Sequence, residues 1–111
     1  MACLLEKDIT GAYNFTAKSH STPTVKATAI NGNARLASAR LNDSDLTVQN
    51  KDSVTFPVES GKNILRLVVN VADPNDTIRI LEVCDGGQTQ VLREYPNDPN
   101  DPVTGFRIFG S

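Results

Sequence analysis

The chain has 111 residues, of which 39% are hydrophobic and 22% charged, and its formal net charge is −2. This length suits a single core, so we predict one domain over residues 1–111. A slightly acidic chain without clustered Lys and Arg is not expected to bind nucleic acid. No apolar run approaches the roughly 20 residues that span a bilayer, so no membrane partner is expected either.

The predicted elements are short strands. Apolar and polar residues alternate at every second position, and Gly, Asn, Asp and Pro break the pattern about every ten residues, which is typical of a sandwich or barrel. We therefore predict an all-β fold, an antiparallel two-sheet β-sandwich of Ig-like or jelly-roll-like type with eight or nine short strands. In chain order, the strands are predicted near residues 13–18, 25–29, 34–41, 46–48, 54–58, 64–72, 77–84, 88–95 and 106–109.

Several local signals refine this pattern. Asn31-Gly32 and Asp85-Gly86-Gly87 predict hairpin turns, because Asn and Gly tolerate the positive φ of a tight turn. Pro57 cannot donate to a ladder, which predicts an edge or bulged strand. The apolar parity changes near Ile80-Leu81, which predicts a bulge or burial of both faces. Residues 4–9 suggest a single helical turn.

Cys3 and Cys84 are too few to define a disulfide framework. The first eight residues lack the basic and apolar regions of a signal peptide. We therefore expect a soluble protein, either cytoplasmic or the mature form of an extracellular one, with free thiols favoured over a disulfide.

Catalytic motifs are not apparent, and no enzyme is expected. His20, the one histidine, falls in a Ser-rich loop that offers no marked nucleophile. A zinc site takes about four Cys or His ligands, more than this chain contains. Arginines in the last four strands are predicted to share an outward face with Glu82 and Glu94. They are Arg66, Arg79, Arg93 and Arg107. A charge-paired face is favoured over a basic platform for an acidic ligand.

Acidic and amide side chains concentrate in alternate loops. If each strand crosses the sandwich once, the loops at 31–33, 50–53, 73–76 and 96–103 meet at one end. Asp and Asn suit sugar hydroxyls, although the same residues also build turns for conformational reasons alone. The candidate ligand-binding residues are Asn31, Asn33, Asp73, Asn75, Asp76, Tyr95 and Asn97.

Calcium is an optional cofactor in this interpretation. The ion takes six to eight oxygen ligands, which carboxylates, amides and backbone carbonyls supply. Asp98, Asn100 and Asp101 are the candidate metal ligands. They follow one another in a loop that prolines pre-order.

The sequence therefore predicts a non-enzymatic binding module, with carbohydrate as the leading ligand. The absence of Trp and the scarcity of other aromatic residues argue against this ligand, because aromatic rings often stack on sugars. The alternative is a structural or protein–protein interaction domain that associates through an edge strand or a sheet face, including as a homodimer.

Overall fold

The computed structural model describes residues 3–111. Met1 and Ala2, which begin the segment predicted not to be a signal peptide, lie outside the described residues. Strands form 55% of the chain and helix 3%, which confirms the all-β class. The strands are β1 (Glu6–Lys7), β2 (Asn14–Ala17), β3 (Thr24–Ala29), β4 (Ala34–Leu41), β5 (Ser44–Asp45), β6 (Ser53–Thr55), β7 (Gly61–Val71), β8 (Thr77–Val83), β9 (Thr89–Pro96) and β10 (Val103–Gly110).

The strands form two sheets. Sheet A has the order β1-β2-β10-β7-β4-β5, and sheet B has the order β6-β3-β8-β9. The prediction of purely antiparallel sheets is wrong, because β10 runs parallel to β2 with Ile108 opposite Phe15. Parallel neighbours need a long connection, which the chain between these two strands provides. Strands β1 and β5, of two residues each, raise the count above the predicted eight or nine.

The turn at Asn31-Gly32 is not the predicted hairpin. It carries the chain from β3 in sheet B to β4 in sheet A. A two-residue hairpin occurs instead at Asn42-Asp43, where φ is 51° and 67° and Leu41 pairs with Ser44. The hairpin predicted at Asp85-Gly86-Gly87 is confirmed by the pairing of β8 with β9. The positive φ of the Asn42-Asp43 turn matches the twist of paired strands, which explains its place between β4 and β5.

Three short segments also differ from expectation. Residues 4–9 contain β1 rather than a helical turn, and residues 46–48 form no strand although Leu46 and Val48 contact the core. Strand β6 ends at Thr55, ahead of Pro57, and lies at the edge of sheet B as that proline predicts. Apolar side chains can be buried without the backbone hydrogen bonds of a sheet. The alternation at residues 46–48 therefore predicted a strand that does not form.

The register shift predicted near Ile80-Leu81 is confirmed, but the extra residue belongs to the partner strand. Ile80 lies opposite Arg93 and Leu81 lies opposite Val91, which leaves Leu92 of β9 unpaired. Because the bulge is on β9, alternate residues of β8 keep facing the core. Glu82 therefore lies on the same side as Ile80, and both are at most 1% exposed.

One hydrophobic cluster includes residues of both sheets. Leu65, Leu67 and Val69 of β7 are buried, as predicted for that strand, and Val25 and Ile80 come from sheet B. Full burial of such a side chain is worth about 1.5–3 kcal/mol, so this shared core dominates the folding free energy. No helix among residues 3–111 has the length and apolar character needed to cross a membrane.

Residues 3–7, here called the N-terminal strap, tie the start of the chain to sheet B. Cys3 and Cys84 form a disulfide with their Cα atoms 4.6 Å apart, so the expectation of free thiols is wrong. The two cysteines are 81 positions apart, and only the tertiary fold brings them together. Leu5 of the strap is 2% exposed and belongs to the core cluster.

The strap also supplies partners for a buried carboxyl group. Glu82 accepts hydrogen bonds from the backbone nitrogens of Leu4 at 2.8 Å and Leu5 at 3.0 Å. The Gln90 side-chain amide donates to Glu82 at 2.7 Å and to the Leu5 carbonyl at 2.6 Å. A buried acid without partners would be costly, so these bonds explain how β8 tolerates Glu82 on its core face.

Replacing both cysteines by serine (Cys3→Ser with Cys84→Ser) should lower the free energy of unfolding by about 2–4 kcal/mol, because the cross-link no longer restricts the unfolded chain. Urea titration of the variant and the wild-type protein measures this difference. A reductant should destabilise the wild type by the same amount and leave the variant unchanged. Two titratable thiols in the unfolded, unreduced wild type would contradict the assignment.

Candidate ligand-binding site

Asp76 holds three of the predicted loops together. Its side chain is 1% exposed, and its Oδ1 accepts hydrogen bonds from the backbone nitrogens of Asn31 at 2.9 Å and Thr77 at 2.8 Å. Its carbonyl accepts a third from the nitrogen of Asn97 at 3.0 Å. Asn31 and Asp76, both predicted to bind ligand, thus bond to each other and fix the loops around residues 31, 76 and 97.

The loop at 50–53 lies at the same end, where it lines an open cavity of about 650 Å³ together with Asn33. We call it the loop-end cavity. Three asparagines from separate segments line it, namely Asn33, Asn50 and Asn70, and all three are exposed. The other lining residues are Ala34, Arg35, Lys51, Asp52, Val71 and Ala72. The wall is therefore dominated by amides and charged groups.

Turn geometry holds part of this wall in place. Asn50 and Lys51 have φ of 52° and 67°, and the backbone of Gln49 pairs with that of Ser53. The carbonyl of Lys51 accepts a hydrogen bond from the nitrogen of Leu36 at 2.8 Å. The turn is thus anchored to β4, next to Arg35, and its exposed side chains project from a fixed backbone.

A smaller cavity of about 210 Å³ adjoins the first and shares Asn70 and Val71 with it. Asn97 lines this second cavity together with two prolines of the last loop. The Asn97 amide group donates to the carbonyls of Val71 at 3.4 Å and Asp73 at 2.9 Å. The Asn97 amide nitrogen is therefore used to hold the loops.

Two of the candidate acids build turns. Asp73 accepts a hydrogen bond from the nitrogen of Asn75 at 2.8 Å, and Asp98 accepts one from the nitrogen of Asn100 at 2.9 Å. The nitrogen of Asp101 also donates to the carbonyl of Asp98 at 3.0 Å. These bonds are the local turn chemistry that Asp favours.

Metal ligation at the acidic loop stays a prediction. Among residues 3–111, the group of three acidic, thiol or imidazole side chains close enough to share an ion is Cys3, Glu82 and Cys84, and both its sulfurs belong to the disulfide. A cation at Asp98 and Asp101 would therefore also need oxygens from Asn100 and from backbone carbonyls.

The Tyr95 side chain is half-buried, and Tyr95 does not line the loop-end cavity. The Arg93 guanidinium lies 4.8 Å from the centre of its ring and 3.9 Å from that of Tyr13. A side-chain nitrogen of Arg93 donates to the Thr104 hydroxyl. Burial raises the pKa of Tyr95 above its usual value, Thr104 and Arg93 oppose this, and the charge of Asp101 adds to it.

The arginines do not share one outward face. Arg79 pairs with Glu94 at 2.6 Å on sheet B, whereas the bulge at Leu92 turns Arg93 to the side of the core. Two further arginines lie on the other sheet, Arg66 in β7 and Arg107 in β10. Glu82, predicted to pair on the outer face, is buried instead. A register shift cannot be placed on one strand from alternation alone, which is why this prediction fails.

Two lining residues of the loop-end cavity were missed because they lie in strands. Arg35 and Asn70 are opposite each other in the pairing of β4 with β7. Both occupy exposed outward positions of strands that carry other polar residues, so nothing in the sequence singles them out.

Comparison with models of protein families, with curated proteins and with solved structures gave no significant match to this chain.

The raised pKa of Tyr95 gives a pH test. The folded protein holds the phenol proton more tightly than the unfolded chain, so stability should fall as pH rises through the unfolded pKa of about 10. Tyr95→Phe should reduce this loss, seen as a smaller drop in the urea midpoint between pH 8 and pH 10.5. Tyr13→Phe is the matched control, and equal effects of the two variants would contradict the assignment.

Proposed function

We propose that the chain is a non-enzymatic binding module that takes a carbohydrate in the loop-end cavity. The observation that carries the proposal is the meeting of Asn33, Asn50 and Asn70, from three separate segments, in one open cavity of about 650 Å³. Each amide offers both donors and an acceptor, which matches the paired donors and acceptors of neighbouring sugar hydroxyls.

Charged groups extend the same chemistry. Arg35 and Lys51 add donors to the cavity, and Asp52 adds an acceptor. One Asp52 oxygen accepts from the Ser53 hydroxyl at 2.9 Å, and the other lies 3.7 Å from the Lys26 ammonium group. These contacts hold the Asp52 side chain in one orientation, which reduces the entropy lost when it accepts a ligand hydroxyl.

The lining residues of the cavity include no aromatic side chain. Ring stacking is therefore not part of the proposed recognition, which depends on hydrogen bonds that compete with water. Net contributions of such bonds are about 0.5–1.5 kcal/mol each, so a weak but stereospecific interaction is expected.

The scaffold suits this role. We infer that the sheets face each other across the shared core as a sandwich of Ig-like or jelly-roll-like type, with loops carried on a rigid support. The hydrogen bonds to buried Asp76 fix the loops around residues 31, 76 and 97 before any ligand arrives. Calcium is an optional part of the proposal, at Asp98, Asn100 and Asp101.

The alternative, a protein-interaction domain, has one specific observation in its favour. Strand β9 has eight residues and lies at the edge of sheet B, and its Val91 is 50% exposed. An edge strand of this length can pair with another chain, including a second copy of this one. Bulging at Leu92 interrupts the ladder and works against such pairing.

Glycan-array binding followed by calorimetry with the best glycan tests the first proposal. Asn33→Ala and Asn70→Ala should each weaken binding about fivefold or more, because each removes hydrogen bonds to the sugar. Gln88→Ala, an exposed amide in the turn between β8 and β9, is the control and should bind as the wild type does. No bound glycan, together with a dimer in sedimentation analysis that Val91→Lys dissociates, would favour the interaction domain.

A thermal melt with calcium or EDTA tests the metal ligands separately. Calcium should raise the melting temperature of the wild type, because a ligand that binds only the folded state stabilises it. Asp98→Ala combined with Asp101→Ala should abolish the rise. A wild-type melting temperature that is the same in calcium and EDTA would remove calcium from the proposal.

A further inference from the structure

Three arginines form a row on the outer face of sheet A. Arg40 of β4 lies opposite Arg66 of β7, and Arg66 lies opposite Gly105 of β10. Arg107 is two positions beyond Gly105 on the same strand and is therefore a diagonal neighbour of Arg66. Like charges placed directly opposite each other destabilise a sheet, so this row is costly without compensating anions.

Compensation within the chain is incomplete. Asp45 lies 3.2 Å from Arg40, and Asp43 lies 3.2 Å from Arg66, both contributed by the β4–β5 hairpin. Arg107 forms no ion pair with any residue of the described chain. The row therefore keeps an unneutralised cation at the end away from that hairpin.

A cavity lies at this end of the row. Its volume is about 450 Å³, and Arg66, Arg107 and Gly105 line it together with Ile64 and the loop that precedes β2. The two sites are separate, because the residues that line this cavity differ from those of the loop-end cavity. We call it the sheet-face cavity.

Gly105 leaves the floor of the sheet-face cavity open. A Cβ atom added there would have the Leu65 carbonyl oxygen, 3.7 Å away, as its nearest neighbour. That separation is ordinary van der Waals contact, so a side chain fits the backbone and would occupy the cavity. The space beside the arginines therefore exists because residue 105 is a glycine.

The remaining lining of the sheet-face cavity is partly apolar. The Tyr13 ring contacts Phe106 edge-on, with centroids 6.4 Å apart, and its face is covered by Arg93 at 3.9 Å. Asn14 adds an amide, and Ile64 adds an apolar surface. The lining of the cavity thus combines two arginines with an amide residue, Tyr13 and an apolar side chain.

We propose that the sheet-face cavity binds a tetrahedral oxyanion, a phosphate or sulfate group, between Arg66 and Arg107. Guanidinium groups match such oxygens with paired, charge-assisted hydrogen bonds. The anion supplies the negative partner that Arg107 lacks within the described chain, and it reduces the repulsion between neighbouring arginines of the row. An organic group attached to the anion contacts Tyr13 and Ile64.

The test is an NMR titration of labelled protein with inorganic phosphate, sodium sulfate and phenyl phosphate at constant ionic strength. The backbone amide of Gly105 and the Nε signals of Arg66 and Arg107 should shift and saturate. Tighter binding of phenyl phosphate assigns the site to a phosphate ester, and equal or tighter binding of the inorganic ions assigns it to the free anion.

Variants separate this site from general attraction to positive charge. Arg107→Gln should weaken binding about tenfold or more, and Gly105→Val should abolish it by filling the floor. Arg35→Gln, which removes an exposed arginine of the loop-end cavity, should change the affinity by less than about twofold. An unchanged spectrum away from the site shows that Gly105→Val is folded.

Three results would overturn the proposal. They are shifts that grow linearly without saturation, equal effects of Arg107→Gln and Arg35→Gln, and wild-type affinity in folded Gly105→Val. Each would show that the anions respond to the overall charge of the surface rather than to this cavity.

Discussion

The carboxyl group of Glu82 is the constraint from which the arrangement of the chain's beginning follows. Strand β8 places it among core side chains, where a carboxyl group without hydrogen-bond donors would cost several kcal/mol. The N-terminal strap supplies those donors from Leu4 and Leu5, and the disulfide to Cys84 secures the strap. With the strap fixed, β1 pairs with β2, and the loop between them stands beside the outer face of sheet A. The strap thus connects a buried acid of sheet B to the loop that lines a cavity on sheet A.

The loop end shows how one residue type serves two purposes. Asp73, Asp76 and Asp98 direct oxygens to backbone nitrogens of their own or neighbouring loops. Those hydrogen bonds fix the loops through one carboxylate oxygen of each residue. Asn33 and Asn70 instead face the loop-end cavity from exposed positions. The distinction matters because an exposed amide exchanges hydrogen bonds with water for those with a ligand, and this exchange leaves the loops held by the aspartates undisturbed.

The arginines illustrate how pairing decides the role of a charge. Arg79 is matched by Glu94, and Arg93 is stacked on Tyr13 and Tyr95, so each already has partners within the fold. Arg107 faces a cavity without a carboxylate partner in the described chain. Its charge is therefore balanced by water rather than by the fold, which is the feature that distinguishes Arg107 from the paired arginines.

Period-two alternation and turn residues were enough to predict the all-β class, most strand positions and the meeting of the Asn- and Asp-rich loops, because these patterns are local to each segment. The Asn31-Gly32 signal was local and did not say whether the next strand would pair or change sheet. Three features are visible only in the folded chain, namely the parallel pairing of β10 with β2, the Cys3–Cys84 disulfide, and the side of β9 on which Arg93 lies. The first two join segments distant in the chain, and the third depends on the bulge at Leu92 within β9. For the same reason Asn70 and Gly105, which look ordinary within their strands, became recognisable as cavity residues only through their neighbours.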